Sequence, residues 1–173
     1  MRRVFVVAAV ALLIPSVSIA DPKYAGVIVG RSGKATDVEL ERVQLRTDVK
    51  VGFLAMNPKV TRSVFGARSQ IRLLASDGPF LVVRPLDDSI DPTDSFVLKK
   101  MLVKDGQRSM MVGVTLNTIN RKVADDAPYS VTEYKPGLLK ITLGEPASLG
   151  EYCISFKPAF RLPDPPWYCF GID

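Results

Sequence analysis

The two cysteines, Cys153 and Cys169, are the residues of this chain with the clearest chemistry. Fifteen residues lie between them, so the pair lacks the close Cys-x-x-Cys spacing expected of a redox-active pair. In an exported chain, two cysteines at such a spacing are typical of a structural disulfide. Closing a loop of this size stabilises the folded protein by about 3 kcal/mol on the chain-entropy account. We therefore predict a structural disulfide between them.

The sequence contains no histidine. This excludes Ser-His-Asp and Cys-His catalytic arrangements and the imidazole ligands on which most catalytic zinc sites depend. It also contains neither Gly-x-Gly-x-x-Gly nor a phosphate-binding Gly-rich loop with Lys-Ser/Thr. Paired carboxylates or a lysine-activated serine are the catalytic arrangements that remain open. We expect no cofactor and no metal ion, and we assign no catalytic residue.

Aspartates are concentrated in one loop, where Asp87 and Asp88 are followed by Asp91 and Asp94. Calcium binding or general acid–base catalysis would use such carboxylates, but the alternate-position ligands and closing glutamate of a calcium loop are absent. Aspartate beside Ser, Pro and Thr is ordinary turn chemistry. We interpret this loop, and also Asp125-Asp126, as solvated turns.

Four basic residues surround an expected hairpin turn at Asp105-Gly106. They are Lys99, Lys100, Lys104 and Arg108. One interpretation is a contact face for an acidic protein partner or an anionic envelope polymer. The other is a solvated strand whose cations prevent edge-to-edge aggregation, as sheets commonly require. The second is the simpler interpretation, because charge alone locates no specific site.

The cysteines lie in two short runs whose apolar residues alternate. The residues of one parity are Tyr152, Ile154 and Phe156 in the first run, and Tyr168, Phe170 and Ile172 in the second. Successive side chains of a strand point to opposite faces, so each run presents one apolar face to a core. Cys153 and Cys169 have the other parity. If the strands are antiparallel neighbours, the disulfide lies across their outer, non-core face, and the proline-rich segment 157–166 is the connecting loop.

The first twenty residues predict export. Arg2 and Arg3 give a positive start, an apolar run follows, and Ser18-Ile19-Ala20 supplies small residues before a cleavage site. The apolar run, residues 4–14, is shorter than the roughly 20 residues that cross a bilayer. We predict a signal peptide at residues 1–20 and a single mature domain at residues 21–173. The location is then the periplasm or the cell exterior, with no transmembrane span after cleavage.

The composition of the mature chain is that of one globular domain. Domains most often contain about 100–150 residues, close to the expected mature length. Removing residues 1–20 takes away two arginines and no acid, so the formal net charge falls from +5 to +3. A mildly basic chain without a clustered patch does not indicate nucleic-acid binding.

Short apolar runs separated by turn residues predict an all-β fold, an antiparallel β-sandwich of nine or ten strands. In the run Phe65 to Leu73, alternation predicts a half-buried strand. Val38 to Leu45 is ambiguous. Thr36 followed by Glu39 fits a helix capping box, yet the apolar residues alternate in two pieces with a slip between them. We interpret the segment as a bulged strand.

Leu149-Gly150-Glu151-Tyr152 resembles the corner that precedes a late strand in many Ig-like sandwiches, where a tyrosine hydroxyl bonds to nearby backbone. The proline that such corners often contain is missing here. With Phe65-Gly-Ala-Arg-Ser69, Pro79-Phe80 and the terminal Phe170-Gly-Ile-Asp173, the chain is similar to uncharacterised exported bacterial β-sandwich proteins. The resemblance implies an Ig-like fold and a structural corner at Tyr152. It implies no activity.

Three functions follow as hypotheses. The first is a non-catalytic envelope protein that binds another envelope protein through a face or edge of the sandwich. The second is a module that binds an anionic glycan or cell-wall polymer through basic residues and exposed aromatics such as Trp167. An enzyme of unfamiliar type comes third, because the chain has no histidine and no nucleophile motif. Fold alone does not decide among them.

Overall fold

The computed structural model of this protein describes residues 21–23, 28–31, 38–40, 42–50, 59–86, 91–113, 126–144, 148–157 and 165–173. The predicted signal peptide, Asp87, Asp88 and Asp125 lie outside the described residues, as does most of the proline-rich segment between the cysteines. The described residues form thirteen β-strands and two 3-10 turns, with no α-helix among them. The predicted all-β fold is confirmed.

The strands are short and follow one another closely. In chain order they are β1 (Ile28–Arg31), β2 (Val38–Glu39), β3 (Arg42–Val43), β4 (Arg46–Lys50), β5 (Lys59–Phe65), β6 (Arg72–Leu73), β7 (Phe80–Val83), β8 (Phe96–Lys104), β9 (Gln107–Gly113), β10 (Tyr129–Lys135), β11 (Leu138–Leu143), β12 (Gly150–Phe156) and β13 (Trp167–Ile172). The 3-10 turns are Ala75–Asp77 and Pro92–Asp94. The predicted hairpin joins β8 to β9, where Asp105 and Gly106 have φ values of 51° and 73°. Such a two-residue turn requires positive φ, which glycine readily adopts.

Hydrogen bonding divides the strands into two sheets. The first sheet has five strands in the order β10-β11-β7-β1-β2. The second has eight strands, with the path β3-β13-β12-β8-β9-β5-β4 and β6 beside β13. Within the described strands every pairing is antiparallel except that of β13 with β6. The predicted antiparallel sandwich is therefore confirmed.

A hydrophobic core, called here the sandwich core, lies between the two sheets. Its fully buried members are Ile28, Leu40, Leu73, Leu81, Val83, Phe96, Leu98, Ile141, Leu143, Tyr152, Ile154, Phe156, Tyr168, Phe170 and Ile172. They include every residue that alternation assigned to a core face in β12 and β13. Each fully buried side chain of this type contributes about 1.5–3 kcal/mol of apolar transfer free energy, so this core is a main source of stability.

The eight-stranded sheet curls until its two ends meet. Strands β3 and β4 stand at opposite ends of the sheet, yet only Gln44 and Leu45 separate them along the chain. On one side Val43 pairs with Trp167, and on the other Arg46 pairs with Ser63. Three residues of extended chain span about 10 Å. The two ends of the sheet are therefore joined by one short segment.

The curled sheet encloses a second cluster, called here the inner core. Its buried members are Met101, Met110, Cys153, Trp167 and Cys169, with Val43, Leu45, Val64 and Val97 packed against them. Strand β13 throughout, and β12 from Glu151 onward, are thus buried on both faces. One face contributes to the sandwich core and the other to the inner core.

The ambiguous segment Val38 to Leu45 contains strands β2 and β3 and no helix among its described residues, so strand is confirmed over helix, but a single bulged strand is wrong because β2 and β3 lie in different sheets. The slip in its alternation has a physical cause. Leu40 belongs to the sandwich core, whereas Val43 packs against the inner core. The apolar pattern changes phase because the chain passes from the five-stranded to the eight-stranded sheet.

The predicted continuous strand from Phe65 to Leu73 is wrong. Strand β5 ends at Phe65, whose side chain is 89% exposed, and the next residue, Gly66, has φ 88°. This left-handed conformation, which glycine adopts without strain, turns the chain out of the sheet. The strand number also exceeds the predicted nine or ten, because three strands of two residues are too short to show a period.

Candidate functional site

The predicted disulfide is present in the inner core. Cys153 and Cys169 stand directly opposite each other in β12 and β13, with an S–S distance of 1.97 Å and a Cα–Cα distance of 4.1 Å. Parity placed both sulfurs on the face opposite Tyr152 and Phe170, as found. The expectation that this face is an outer, non-core face is wrong. The cysteines are 0% and 2% exposed because the sheet curls over them.

Trp167 belongs to the same inner core and is 8% exposed. Its expected role as an exposed aromatic for glycan binding is therefore wrong. A pairing that the sequence does not reveal buries it, since Trp167 lies opposite Val43 at the end of the curled sheet.

A charged cluster lies at one end of the inner core. It consists of Arg68, Arg72, Arg108, Glu151 and Asp173. Glu151 is buried, and its carboxylate accepts hydrogen bonds from Arg72 Nη1, from Arg108 Nη1 at 3.5 Å and from the Ser69 backbone N–H at 2.8 Å. Buried charges require such partners, since an unpaired buried ion is strongly destabilising.

The register of three adjacent strands places Arg72 within reach of Glu151. Gly171 of β13 pairs with Glu151 on one side and with Arg72 on the other. A Cβ at Gly171 would lie 1.6 Å from Arg72 Nη1. Glycine therefore leaves the space through which the guanidinium crosses β13 to the carboxylate.

The bend between β5 and β6 closes this end of the inner core. The Ser69 hydroxyl donates to the Cys169 carbonyl oxygen at 3.0 Å, and Arg108 Nε donates to the Gly66 carbonyl oxygen at 3.0 Å. The Gly171 N–H donates to the Ile71 carbonyl oxygen at 2.9 Å. The segment predicted as a strand is thus a cap over the disulfide-containing strands.

The charges of this cluster stabilise one another. Hydrogen bonds to Asp173 and Glu151 raise the pKa of the Arg72 guanidinium, and the bond from Arg72 lowers the pKa of the Asp173 carboxyl group. Burial lowers the pKa of the Arg108 guanidinium. The Glu151 carboxylate is engaged by three donors, so the arrangement holds the fold together and is not typical of a general acid or base.

The Tyr152 hydroxyl makes the bond that the corner resemblance implies. It donates to the Ser148 carbonyl oxygen at 2.6 Å, and its oxygen lies 2.8 Å from the Ser148 hydroxyl. Lys100 Nζ donates to the same Ser148 hydroxyl at 2.6 Å. The tyrosine ring is buried in the sandwich core.

Lys99, Lys100, Lys104 and Arg108 form neither one contact face nor one solvated strand, because two of them are buried and two are exposed. The side chains of Lys99 and Arg108 are only 10% and 6% exposed, and they pair with Asp126 and Glu151 respectively. Lys100 and Lys104 are exposed. Alternation along β8 and β9 separates the buried pair from the exposed pair.

The acidic loop has ordinary turn contacts in its described part. The Asp91 carboxylate accepts hydrogen bonds from the Thr93 N–H at 2.8 Å and hydroxyl at 2.7 Å, and these bonds lower the pKa of Asp91. Asp94 pairs with Lys157 at 3.1 Å. The described residues contain no group of three or more potential metal-ligating His, Cys, Asp or Glu side chains.

Part of the eight-stranded sheet has an uncovered outer face, called here the open face. It consists of Arg46, Phe65, Leu102, Lys104, Gln107 and Ser109, whereas Ser63, which has the same parity, is only 7% exposed. Phe65 of β5, Gln107 of β9 and Lys104 of β8 lie side by side across three neighbouring strands. The next row contains Leu102, which is 63% exposed. Directly paired residues share a face, so Phe65 and Leu102 lie on the same face, two strands apart, with Gln107 and Ser109 of β9 between them.

A separate cleft of about 360 Å³ opens beside the hairpin of β10 and β11. Its lining includes Pro85, Pro92, Val131 and Leu139, with Glu133 as the single ionisable side chain. One carboxylate without a second titratable group provides no acid–base pair.

Sequence reasoning missed the open face and the charged cluster. Gly66, which follows Phe65, is a sequence signal for the end of a strand, and it could have predicted that β5 ends at Phe65. Glu151 and Cys153 lie on the same face of β12, and the residues on the other face are apolar. This pattern indicates a strand that is buried on both faces and carries one charged residue. The identity of its partners, Arg72 and Arg108, depends on long-range pairing.

Comparisons with protein-family models, with curated proteins and with solved structures find no match to this chain. Among the described residues, no helix has the length and apolar character needed to cross a membrane.

Proposed function

We propose that this protein is a non-catalytic, exported envelope protein that binds another envelope protein through the open face. One observation carries the proposal: Phe65 is 89% exposed and shares a sheet face with Leu102, which is 63% exposed. Exposed apolar side chains that share one sheet face and are rimmed by polar residues are typical of protein interaction sites.

The chemistry of the open face suits a protein partner. Phe65 and Leu102 supply the apolar centre, and aromatic residues are enriched at the centres of interfaces. Arg46 and Lys104 stand beside them, Asp48 pairs with Arg46 at 3.4 Å, and exposed Asp105 lies in the turn next to Lys104. Such charged residues at the rim of an interface make the rate of association depend on salt.

The export part of the proposal rests on the N-terminal sequence and is supported by the disulfide. Disulfides persist in oxidising compartments such as the periplasm and the cell exterior. N-terminal sequencing of the secreted protein should begin at Asp21. Recovery of the full-length chain in the cytoplasm would contradict export.

Binding of an anionic glycan or cell-wall polymer is the alternative. Exposed Lys100 and Lys104 support it, but the burial of Trp167 removes the aromatic platform on which it relied. An enzyme is the third possibility. The pairing of Lys99, Arg108 and Glu151 within the fold supports placing it last.

The double variant Phe65→Ser, Leu102→Ser tests the proposal. Envelope proteins are cross-linked to the wild type and to the variant, and the recovered partners are compared. We expect a protein partner that the wild type retains and the double variant loses. Both side chains are exposed, so the variant should stay folded, with a stability change within about 0.5 kcal/mol per site.

Val49→Ser is the matched control, because Val49 is 57% exposed but has the opposite parity from Arg46 in β4. It should keep the partner. Equal recovery by all three proteins would refute the open face as the binding surface. Recovery of glycan in place of protein would favour the alternative.

A further inference from the structure

The segment Asp21–Lys23 is bound to the outer face of the five-stranded sheet, which points away from the sandwich core. Val29 and Val82 stand opposite each other on this face and are 2% and 0% exposed. Pro22 is itself buried, and its carbonyl oxygen accepts a hydrogen bond from Arg84 Nε at 3.2 Å. The segment is therefore bound to the sheet through its backbone.

Two cations hold the Asp21 carboxylate. Arg31 Nη2 donates to Oδ1 at 3.0 Å, and Lys135 Nζ donates to Oδ2 at 2.7 Å. Each carboxylate oxygen thus has its own charged donor. Charge-assisted hydrogen bonds of this kind are roughly twice as strong as neutral ones.

Tyr134 positions both cations. Its hydroxyl oxygen accepts a hydrogen bond from Arg31 Nη1 at 2.7 Å, and its ring lies 5.3 Å from the Arg31 guanidinium carbon and 5.3 Å from Lys135 Nζ. These are cation–π distances. Arg31 is also nine-tenths buried in this arrangement, so its guanidinium is held between Tyr134 and the Asp21 carboxylate.

The charge balance of the surrounding face favours an anion. Its described cations are Arg31, Arg84, Lys135 and Lys140, and its acids are Asp21 and Glu39. In agreement, Lys135 and Arg31 lower the pKa of the Asp21 carboxyl group. The site thus favours the ionised form of a carboxylate.

We propose that Arg31, Lys135 and Arg84 form a receptor site for an aspartate-bearing, extended peptide segment, and that Asp21-Pro22 of the same chain fills this site. The bound occupant indicates the ligand class. A side-chain carboxylate binds Arg31 and Lys135, and the next carbonyl oxygen binds Arg84. A partner protein with an aspartate in an extended segment presents the same two groups.

Asp21-Pro22 of the same chain competes with such a partner for the site formed by Arg31, Lys135 and Arg84. Tethering gives Asp21 a high effective concentration at the site, so an external segment binds weakly while Asp21 is present and more tightly once it is removed. The site lies on the five-stranded sheet, so it does not depend on the open face of the other sheet.

The test uses Asp21→Ala, with N-acetyl-aspartyl-proline methylamide as the probe and its asparaginyl counterpart as the control ligand. In Asp21→Ala the aspartyl probe should shift the NMR resonances of Tyr134 and Lys135 saturably and raise the urea midpoint. The asparaginyl probe should bind about tenfold more weakly, because it lacks the charge-assisted bonds. Adding Lys135→Ala to the variant should abolish the response.

Asp48→Ala is the matched control variant, since it removes one carboxylate from an exposed ion pair with Arg46. It keeps Asp21 and should respond to the probe less than Asp21→Ala does. If Asp21→Ala loosens the fold, Asp21→Asn keeps the side-chain shape and is titrated in its place. Equal binding of the two probes, no binding at all, or a response to polygalacturonate without one to the peptide would overturn the proposal.

Discussion

Gly171 and Arg72 are paired on parallel neighbouring strands, and the Arg72 guanidinium occupies the space in which a side chain at Gly171 would lie. A Cβ there would be 1.6 Å from Nη1 and 2.1 Å from Cζ of Arg72. Glu151 pairs with Gly171 from the other side. The glycine is thus the gap through which one strand's arginine reaches a carboxylate two strands away.

Gly171→Ala should displace the Arg72 guanidinium from Glu151. The buried carboxylate would keep Arg108 and the Ser69 N–H but lose its charged bond to Arg72. Removal of one partner from a buried ion pair costs about 3–5 kcal/mol, so we expect a loss near 3 kcal/mol in urea unfolding.

Gly78→Ala is the control for this prediction, because no atom lies within 4 Å of the position of its Cβ. Gly78 has φ 60°, a left-handed conformation that Gly171 does not have, so Gly78→Ala gives the cost of left-handed strain without any steric contact. If Gly171→Ala costs no more than Gly78→Ala, the ion pair does not depend on the gap.

The sequence predicts much of the fold because alternation and turn chemistry are local. The predicted hairpin turn at Asp105-Gly106 joins β8 to β9, and parity assigns the core faces of β12 and β13. The curl of the eight-stranded sheet is not determined by residues that are close in sequence. It depends on the pairing of Val43 with Trp167, far apart in the chain, and it turns the expected outer face of the disulfide into an inner core.

Tyr152→Phe should cost about 0.5–1.5 kcal/mol, the usual net contribution of one hydrogen bond. The ring stays in the sandwich core, while the Ser148 carbonyl oxygen loses its donor at 2.6 Å. Ser148 is exposed, so water can replace the hydroxyl and the loss should fall toward the lower value. Ser148→Ala keeps the carbonyl acceptor and should cost less. Urea melts with no loss for Tyr152→Phe would mean that the hydroxyl is hydrated in solution.

Acid should destabilise the protein through Asp21 and Asp173. Lys135 and Arg31 lower the pKa of Asp21, and Arg72 lowers the pKa of Asp173, each from an ordinary value of 3.8. A carboxylate whose pKa is lower in the folded state binds protons first in the unfolded chain. Its contribution is therefore complete above the unfolded pKa and is lost as the pH falls through the folded pKa.

Urea unfolding at a series of pH values from 6 to the acid limit of folding measures this loss. Asp21→Asn and Asp173→Asn should each reduce the loss in the free energy of unfolding as the pH falls. A profile as steep as the wild type's for both variants would contradict the assignment.

The four basic residues near the hairpin show which features of a site local sequence patterns do not predict. Lys99 and Arg108 were grouped with Lys100 and Lys104 because all four lie near one turn. The alternation of β8 sends Lys99 inward to Asp126 and leaves Lys100 outside. The alternation of side chains along the strand, which the sequence shows, was sufficient to place Lys99 and Lys100 on opposite faces. The burial of Arg108 also depends on its reaching Glu151 on β12, two strands away from β9 in the curled sheet.

The disulfide should be inaccessible to reductants in the folded protein and should stabilise the inner core. Cys153 and Cys169 are 0% and 2% exposed, so a thiolate reaches them only after the curled sheet opens. Replacing both cysteines with alanine should cost about 3 kcal/mol, the value for a loop of this length.

Trp167, the only tryptophan, reports this opening directly, because it packs with the two cysteines in the inner core. In the double alanine variant its fluorescence should shift to longer wavelength at a lower urea concentration than in the wild type. The unfolded, unreduced wild type should contain no free thiol, and reduction should be much faster in urea than in buffer. Two free thiols would refute the disulfide. Equal rates of reduction would show that the sulfurs are exposed in solution and that the sheet does not close over them.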